Sequence, residues 1–137
     1  MSDLSEKLIR FFSENDRFVR YNGIEILEAG EGYAKAQLKI EEHHLNSVRV
    51  VHGGAIFTLA DLVFAVAANS YGNVALAINA NIHFIRGAKG GTIFAEAKEV
   101  ANHPKLATYS VRVTDEEGNL LASFEGMVYK KKDQLPV

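Results

Sequence analysis

The run Gly53 to Gly72, GGAIFTLADLVFAVAANSYG, holds one formally charged side chain, Asp61, and it follows directly on His52. An ionised carboxylate in so apolar a stretch is strongly disfavoured unless it is paired, so its presence calls for a partner or a reaction. Gly53 and Gly54 stand where a polar loop turns into that stretch. Without a Cβ in the way, their backbone N–H groups can approach a ligand oxygen, and a helix start favours negative charge. Such donors stabilise the oxyanion that forms when a carbonyl is attacked, and a carboxylate facing the same carbonyl can attack it or activate water. The plainer alternative is an Asp61 satisfied by Thr58 or nearby Asn side chains, with two glycines that only let a helix pack tightly against a strand.

Helix geometry constrains the first reading. Gly53 and Asp61 are eight positions apart, roughly 12 Å along one helix, whereas reacting groups must come within about 3 to 3.5 Å of the substrate atom. One helix cannot easily present both groups to one carbonyl. Two antiparallel copies can, with Gly53 of one facing Asp61 of the other, which gives two equivalent sites in a twofold dimer.

The elements that must position these groups are legible in the periodicity. Leu4, Leu8, Phe11 and Phe12 recur at helical spacing behind Asp3 and Glu6, a capping pair, and predict a helix over 3–14. Ile24 to Leu27 and Tyr33 to Ile40 read as strands, the second alternating Ala34, Ala36, Leu38, Ile40 with Lys35, Gln37, Lys39, and Gly30-Glu31-Gly32 suits a hairpin between them. Glu41 to Arg49 is a polar loop. Gly54 to Ser70 is apolar all round and too long for one strand, hence a helix enclosed on most sides. Four further strands are expected at 75–86, 92–100, 107–114 and 120–130, separated by turn formers. The order α-β-β-α-β-β-β-β predicts one α+β domain over residues 1–137, in which a long antiparallel sheet curls around the central helix.

Composition narrows the function classes. The 137 residues, 47% hydrophobic, suffice for one core and are too few for two comfortable ones. A net charge of −2 lacks the basic footprint of a duplex-binding protein, so no nucleic-acid partner is expected. There is no cysteine, which removes disulfides, thiolate metal sites and cysteine nucleophiles and is compatible with the cytoplasm. The N-terminus lacks the features of a signal peptide, and the Asp61 segment reads as a buried helix rather than a membrane span. No GxSxG, P-loop or GxGxxG motif is present. His43 and His44 have no carboxylate at ligand spacing and read as solvated loop residues, so no metal is expected.

The segment Asn46 to Asp61, NSVRVVHGGAIFTLAD, together with Asn79 to Ala88, NANIHFIRGA, resembles the hotdog-fold acyl-CoA thioesterases of the PaaI-like, phenylacetic-acid-degradation group. The resemblance covers nearly the whole chain, and its specific part is the spacing of Asn46, His52-Gly53-Gly54 and Leu59-Ala60-Asp61. It implies hydrolysis of an acyl-CoA thioester to free acid and CoA without a cofactor. It also implies a homodimer with sites across the interface, commonly paired into a tetramer. Residue by residue it makes Asp61 the nucleophile or general base, Gly53 the donor to the thioester oxygen, Asn46 the residue that positions substrate or water, and His52 a residue that shapes the site. Arg86 and Lys89 fall where that family meets the CoA phosphates, with Lys105 a weaker candidate. Some relatives orient the nucleophile with a Ser or Thr on the strand after the helix; here Asn79 is the nearest substitute. Gly54, Phe57 and Phe64 complete the expected substrate-binding set, although the aromatics also suit a core, and Asn46, His52, Arg86 and Lys89 each have a plain structural reading as turn, cap or surface charge. The alternative function is an acyl-CoA-binding module that senses without turnover; a hydratase is disfavoured because no His follows His52 until His83.

Overall fold

Ser2 begins the first helix: its hydroxyl accepts from the Ser5 N–H at 3.1 Å, and α1 runs Asp3–Asn15 in the computed structural model, which describes residues 1–137. Asp3 and Glu6, expected as the capping pair, lie inside the first turn, where their charge still complements the helix dipole. Asp3 pairs with Lys7 at 3.3 Å. A second, short helix, α2 (Arg17–Asn22), was not expected. Asp16 caps it by accepting from the Val19 N–H at 3.1 Å, and Gly23 ends it at φ +77°.

Strand β1 (Ile24–Gly30) pairs antiparallel with β2 (Tyr33–Lys39). It outlasts the expected four residues because a bulge at Leu27 shifts its alternation: Ile24 and Ile26 face the core, then Ala29. After a single 3-10 turn at Glu42–His44 comes α3 (Gly53–Ala68), followed by β3 (Asn73–Phe84), β4 (Thr92–Asn102), β5 (Leu106–Thr114) and β6 (Leu120–Gln134). The strands form one antiparallel sheet in the order β1-β2-β4-β5-β6-β3. This is the hotdog arrangement that the sequence implies, with α2 added. No helix is long and apolar enough to cross a membrane.

Small side chains let α3 settle deep into the curl. Ala34, Ala36, Ala95, Ala97, Ala107 and Ala122 line the inner face of the sheet and are buried, and α3 packs chiefly on β2, β4 and β5. At Gly126 a Cβ would stand 2.5 Å from Phe64 Cζ, so only glycine admits that ring. Phe64 in turn packs on Phe124 and Tyr109, with ring centroids 5.4 and 5.9 Å away. Burying it contributes about 1.5–3 kcal/mol, which Gly126→Ala would put at risk through overpacking.

The helix stops two residues before Ser70 because two buried polar side chains end it. Asn69 donates to the Ala65 carbonyl at 2.8 Å and accepts from the Ala75 N–H at 2.9 Å. Ser70 donates to the Ala67 carbonyl at 2.6 Å and accepts from the Gly32 N–H at 2.7 Å. The C-terminal end of α3 is thereby tied to β3 and to the β1–β2 hairpin.

Candidate active site

The other end of α3 is held by the polar loop, now seen as a built structure. Leu45 and Val51 form a β-bridge, and Asn46 closes the loop by accepting at Oδ1 from the Val48 and Val50 N–H groups at 3.0 and 3.1 Å. Asn46 therefore acts here as a turn organiser through Oδ1, with Nδ2 left unbonded within the chain. Arg49 takes a left-handed conformation, φ +63°, and pairs with Glu42 at 3.2 Å. His44, expected to be solvated, is buried. Its Nδ1 accepts from the Glu41 N–H at 2.8 Å and its Nε2 bonds the Asn22 carbonyl at 3.0 Å, which assigns the proton to Nε2 and joins the end of α2 to the loop. Burial pushes the His44 pKa down, and with both ring nitrogens engaged it is a strut rather than a metal ligand.

From that strut the chain passes into α3. The His52 N–H donates to the His44 carbonyl at 2.7 Å, and His52 Nδ1 caps the helix by accepting from the Gly54 N–H at 2.8 Å. The Ala55 and Ile56 N–H groups both turn to the His52 carbonyl, at 2.9 and 3.2 Å. Gly53 is left as the first-turn residue whose N–H has no acceptor in the chain. A Cβ at Gly54 would stand 2.9 Å from the capping His52 Nδ1, whereas one at Gly53 would stand 3.2 Å from Phe84 Cζ, the tip of an exposed ring that has room to give. Of the two glycine N–H groups, only that of Gly53 is free.

Asp61 lies on the face of α3 that carries Gly54 and Thr58 and is half-buried. Its carboxylate makes neither a hydrogen bond nor an ion pair. Thr58 does not satisfy it, since that hydroxyl donates to the Gly54 carbonyl at 2.7 Å. Burial, with a smaller contribution from the charge of Asp16, raises the Asp61 pKa above the usual carboxylate value. A basic, poorly solvated carboxylate is suited to attack a carbonyl or to take a proton from water.

The remaining expected residues divide. Arg86 and Lys89 are exposed on the segment beside the helix start, where the Val51 N–H donates to the Ala88 carbonyl at 2.8 Å. Phe57 is half-buried against Phe124, ring centroids 5.6 Å apart, and borders an open pocket of about 430 Å³ shared by Phe18, His43, His52 and Gly54. Phe64 belongs to the core and reaches no opening. Asn79 is not brought to Asp61. A bulge at Ile78 advances the alternation of β3 by one residue, so Ala77 and Ala80 share the helix side and Asn79 faces outward with Thr108 and Met127. Lys105 lies at the far end of α3. The sequence reading missed α2, whose Phe18 borders the pocket, and the strut His44; the signal for α2 was Asp16 and Gly23 at cap spacing.

Known proteins share this architecture and sequence. The sequence pattern of the Thioesterase superfamily matches residues 49–122, which spans His52 to Asp61 and leaves Asn46 outside. A protein of Archaeoglobus fulgidus is 40% identical over 136 residues, 98% of this chain and 88% of its own. The acyl-coenzyme A thioesterase PaaI of Escherichia coli is 32% identical over 118 residues, 85% of this chain and 84% of its own. The solved structure of E. coli PaaI, from the phenylacetic acid degradation operon, superposes with a TM-score of 0.90 at 29% identity, covering 96% of this chain and 99% of that one. By fold, by sequence and by the His-Gly-Gly helix start, the chain belongs to the hotdog-fold thioesterases of the PaaI-like group.

Proposed function

We propose that this thioester hydrolase cleaves acyl-CoA to free carboxylic acid and CoA, with the Gly53 N–H polarising the thioester carbonyl and Asp61 as nucleophile or general base. The observation that carries this reading is a pair of orphans: Gly53 N–H and the Asp61 carboxylate lack partners. Gly54 and Thr58 beside them are bonded, as are Asn69 and Ser70 at the other end of the helix. The E. coli relative that is named an acyl-coenzyme A thioesterase supports the substrate class. A negative oxygen developing at Gly53 is stabilised by the donor and by the helix dipole, and His52 keeps that donor free by capping Gly54 instead. If Asp61 attacks, the C–S bond breaks to give CoA thiolate and a mixed anhydride that water then opens; if it acts as base, it takes a proton from the water that attacks the carbonyl, and the C–S bond breaks to release CoA thiolate, which takes up that proton, and the free acid.

The working unit in this reading is a homodimer. β3 is an edge strand of 12 residues, and Leu76, Ile78 and Phe84 on it are 51%, 56% and 56% exposed. So long and apolar an open edge is a template for another strand. Antiparallel pairing with a second copy sets the two α3 helices side by side in opposite directions, which brings Gly53 of each copy toward Asp61 of the other. The reading is tested with a panel of acyl-CoA esters and a thiol-trapping reagent. Thiol release by the native protein and its loss in Asp61→Asn are expected; binding of acyl-CoA with no thiol release would overturn it.

A further inference from the structure

What lies against Gly53 is the ring of Phe84, the last residue of β3. The three atoms nearest to a Cβ placed on Gly53 are Cζ, Cε1 and Cε2 of that ring, at 3.2, 3.4 and 3.8 Å. In a helix the Cα–Cβ bond leans toward the N-terminus, and the first-turn N–H groups point the same way. The ring therefore stands beside the one first-turn donor for which the chain supplies no acceptor. The backbone that carries it is fixed. Phe84 pairs with Ala122 of β6, the Ile85 and Arg86 N–H groups both donate to the Leu121 carbonyl at 2.8 and 3.1 Å, and the Ala88 carbonyl accepts from the Val51 N–H at 2.8 Å, just before the helix. The ring itself is 56% exposed, so it can change rotamer with little loss of packing.

A lone backbone donor gains most from a developing negative oxygen where water is kept away, because water competes for the N–H and screens its partial charge. With Gly54 N–H committed to His52, no second glycine donor makes up for that loss. We propose that Phe84 covers the oxyanion position: its ring swings off Gly53 to admit the thioester, then packs against the reacting carbonyl and excludes water from the oxygen held by the Gly53 N–H. This assignment rests on the thioesterase reading and adds to it a positioning residue that acts through Gly53. It also gives the missing side chain at position 53 a purpose besides a free N–H. Without a Cβ there, the ring can close to van der Waals contact with the helix start.

Phe84→Ala and Phe84→Leu are compared with the native protein on two substrates: the acyl-CoA hydrolysed best in the panel, and the N-acetylcysteamine thioester of the same acid, which lacks the nucleotide. Both variants are assayed at concentrations where sedimentation gives the mass of the native protein. For Phe84→Ala, kcat should fall about tenfold to a hundredfold, less than for loss of the donor itself, and by the same factor on both esters, with KM little changed. Phe84→Leu keeps an apolar cover and should recover most of that loss. An unchanged kcat for Phe84→Ala overturns the assignment. So does a loss confined to the CoA ester, which would make the ring a contact for the CoA tail, or a leucine variant as slow as the alanine one. Amide hydrogen exchange supplies a readout that needs no turnover. Relative to the buried amides of α3, the Gly53 N–H should exchange severalfold faster in Phe84→Ala than in the native protein or Phe84→Leu. If the native protein hydrolyses neither ester, the thioesterase reading fails by itself; faster exchange in the alanine variant still supports Phe84 as the cover of Gly53, and an unchanged rate overturns it.

Discussion

The two ends of α3 solve the same physical problem in opposite ways. At the C-terminal end the helix carbonyls and the groups next to them are satisfied by Asn69 and Ser70, both buried, with bonds that reach into β3 and the first hairpin. At the N-terminal end the side chain of His52 takes the Gly54 N–H and its carbonyl takes two more, yet Gly53 N–H is left without a partner. An end completed by the protein holds the fold together. An end left one bond short has a donor to offer a substrate, and the unpaired Asp61 further along the helix has the same character.

Three substitutions, the first read out in two ways, break or sharpen that contrast. The largest effect belongs to Asp61→Asn, which preserves shape and removes the base or nucleophile; kcat in the thiol-release assay should fall by roughly 10²- to 10⁴-fold with little change in far-ultraviolet circular dichroism. Gly53→Pro comes next. Proline is favoured at the first helical position and lacks only the N–H, so helix content should persist while kcat drops about 10²- to 10³-fold; an unaltered kcat would exclude Gly53 N–H as the donor. Asn69→Ala acts at the completed end, leaving the Ala75 N–H without its acceptor, and should cost about 1–3 kcal/mol in denaturant unfolding while kcat stays put.

The smallest effect is on stability and carries a sign. The folded pKa of Asp61 is raised, so the folded state binds the proton more tightly than the unfolded chain does. The stability contributed by that proton is complete below the unfolded value, about 4, and is lost as pH rises through the folded value. At neutral pH the ionised carboxylate is therefore a burden, and Asp61→Asn should raise Tm at pH 7 by an amount that vanishes below about pH 4. A Tm that falls at pH 7 would mean that Asp61 has a stabilising partner.

Much of the scaffold could be read in advance because it obeys simple periods. The alternation of Ala34, Ala36 and Leu38 gave β2, and the unbroken apolar run gave α3, with the terminal residues shifted by one or two. α2 escaped because six residues show too little periodicity. Asn79 escaped for a different reason: a bulge at Ile78 reverses which residues face the helix, and nothing in the local composition marks it. His44 read as solvated because adjacent histidines in a polar loop give no hint that one is buried beneath α2.

The chain by itself determined that a lone carboxylate would lie in an apolar helix opened by two glycines, since residue type and spacing are local properties. It determined too that one helix of this length could not bring both groups to one carbonyl, which points to a second subunit. Tertiary structure alone decided which N–H stays free and which aromatics are core. It also decided that Lys105, Lys132, Tyr71 and Tyr129, scattered over sixty residues of chain, meet in one cleft. Those outcomes depend on hydrogen-bond competition and strand register, which are settled between segments distant in sequence and leave no periodic trace within any one of them.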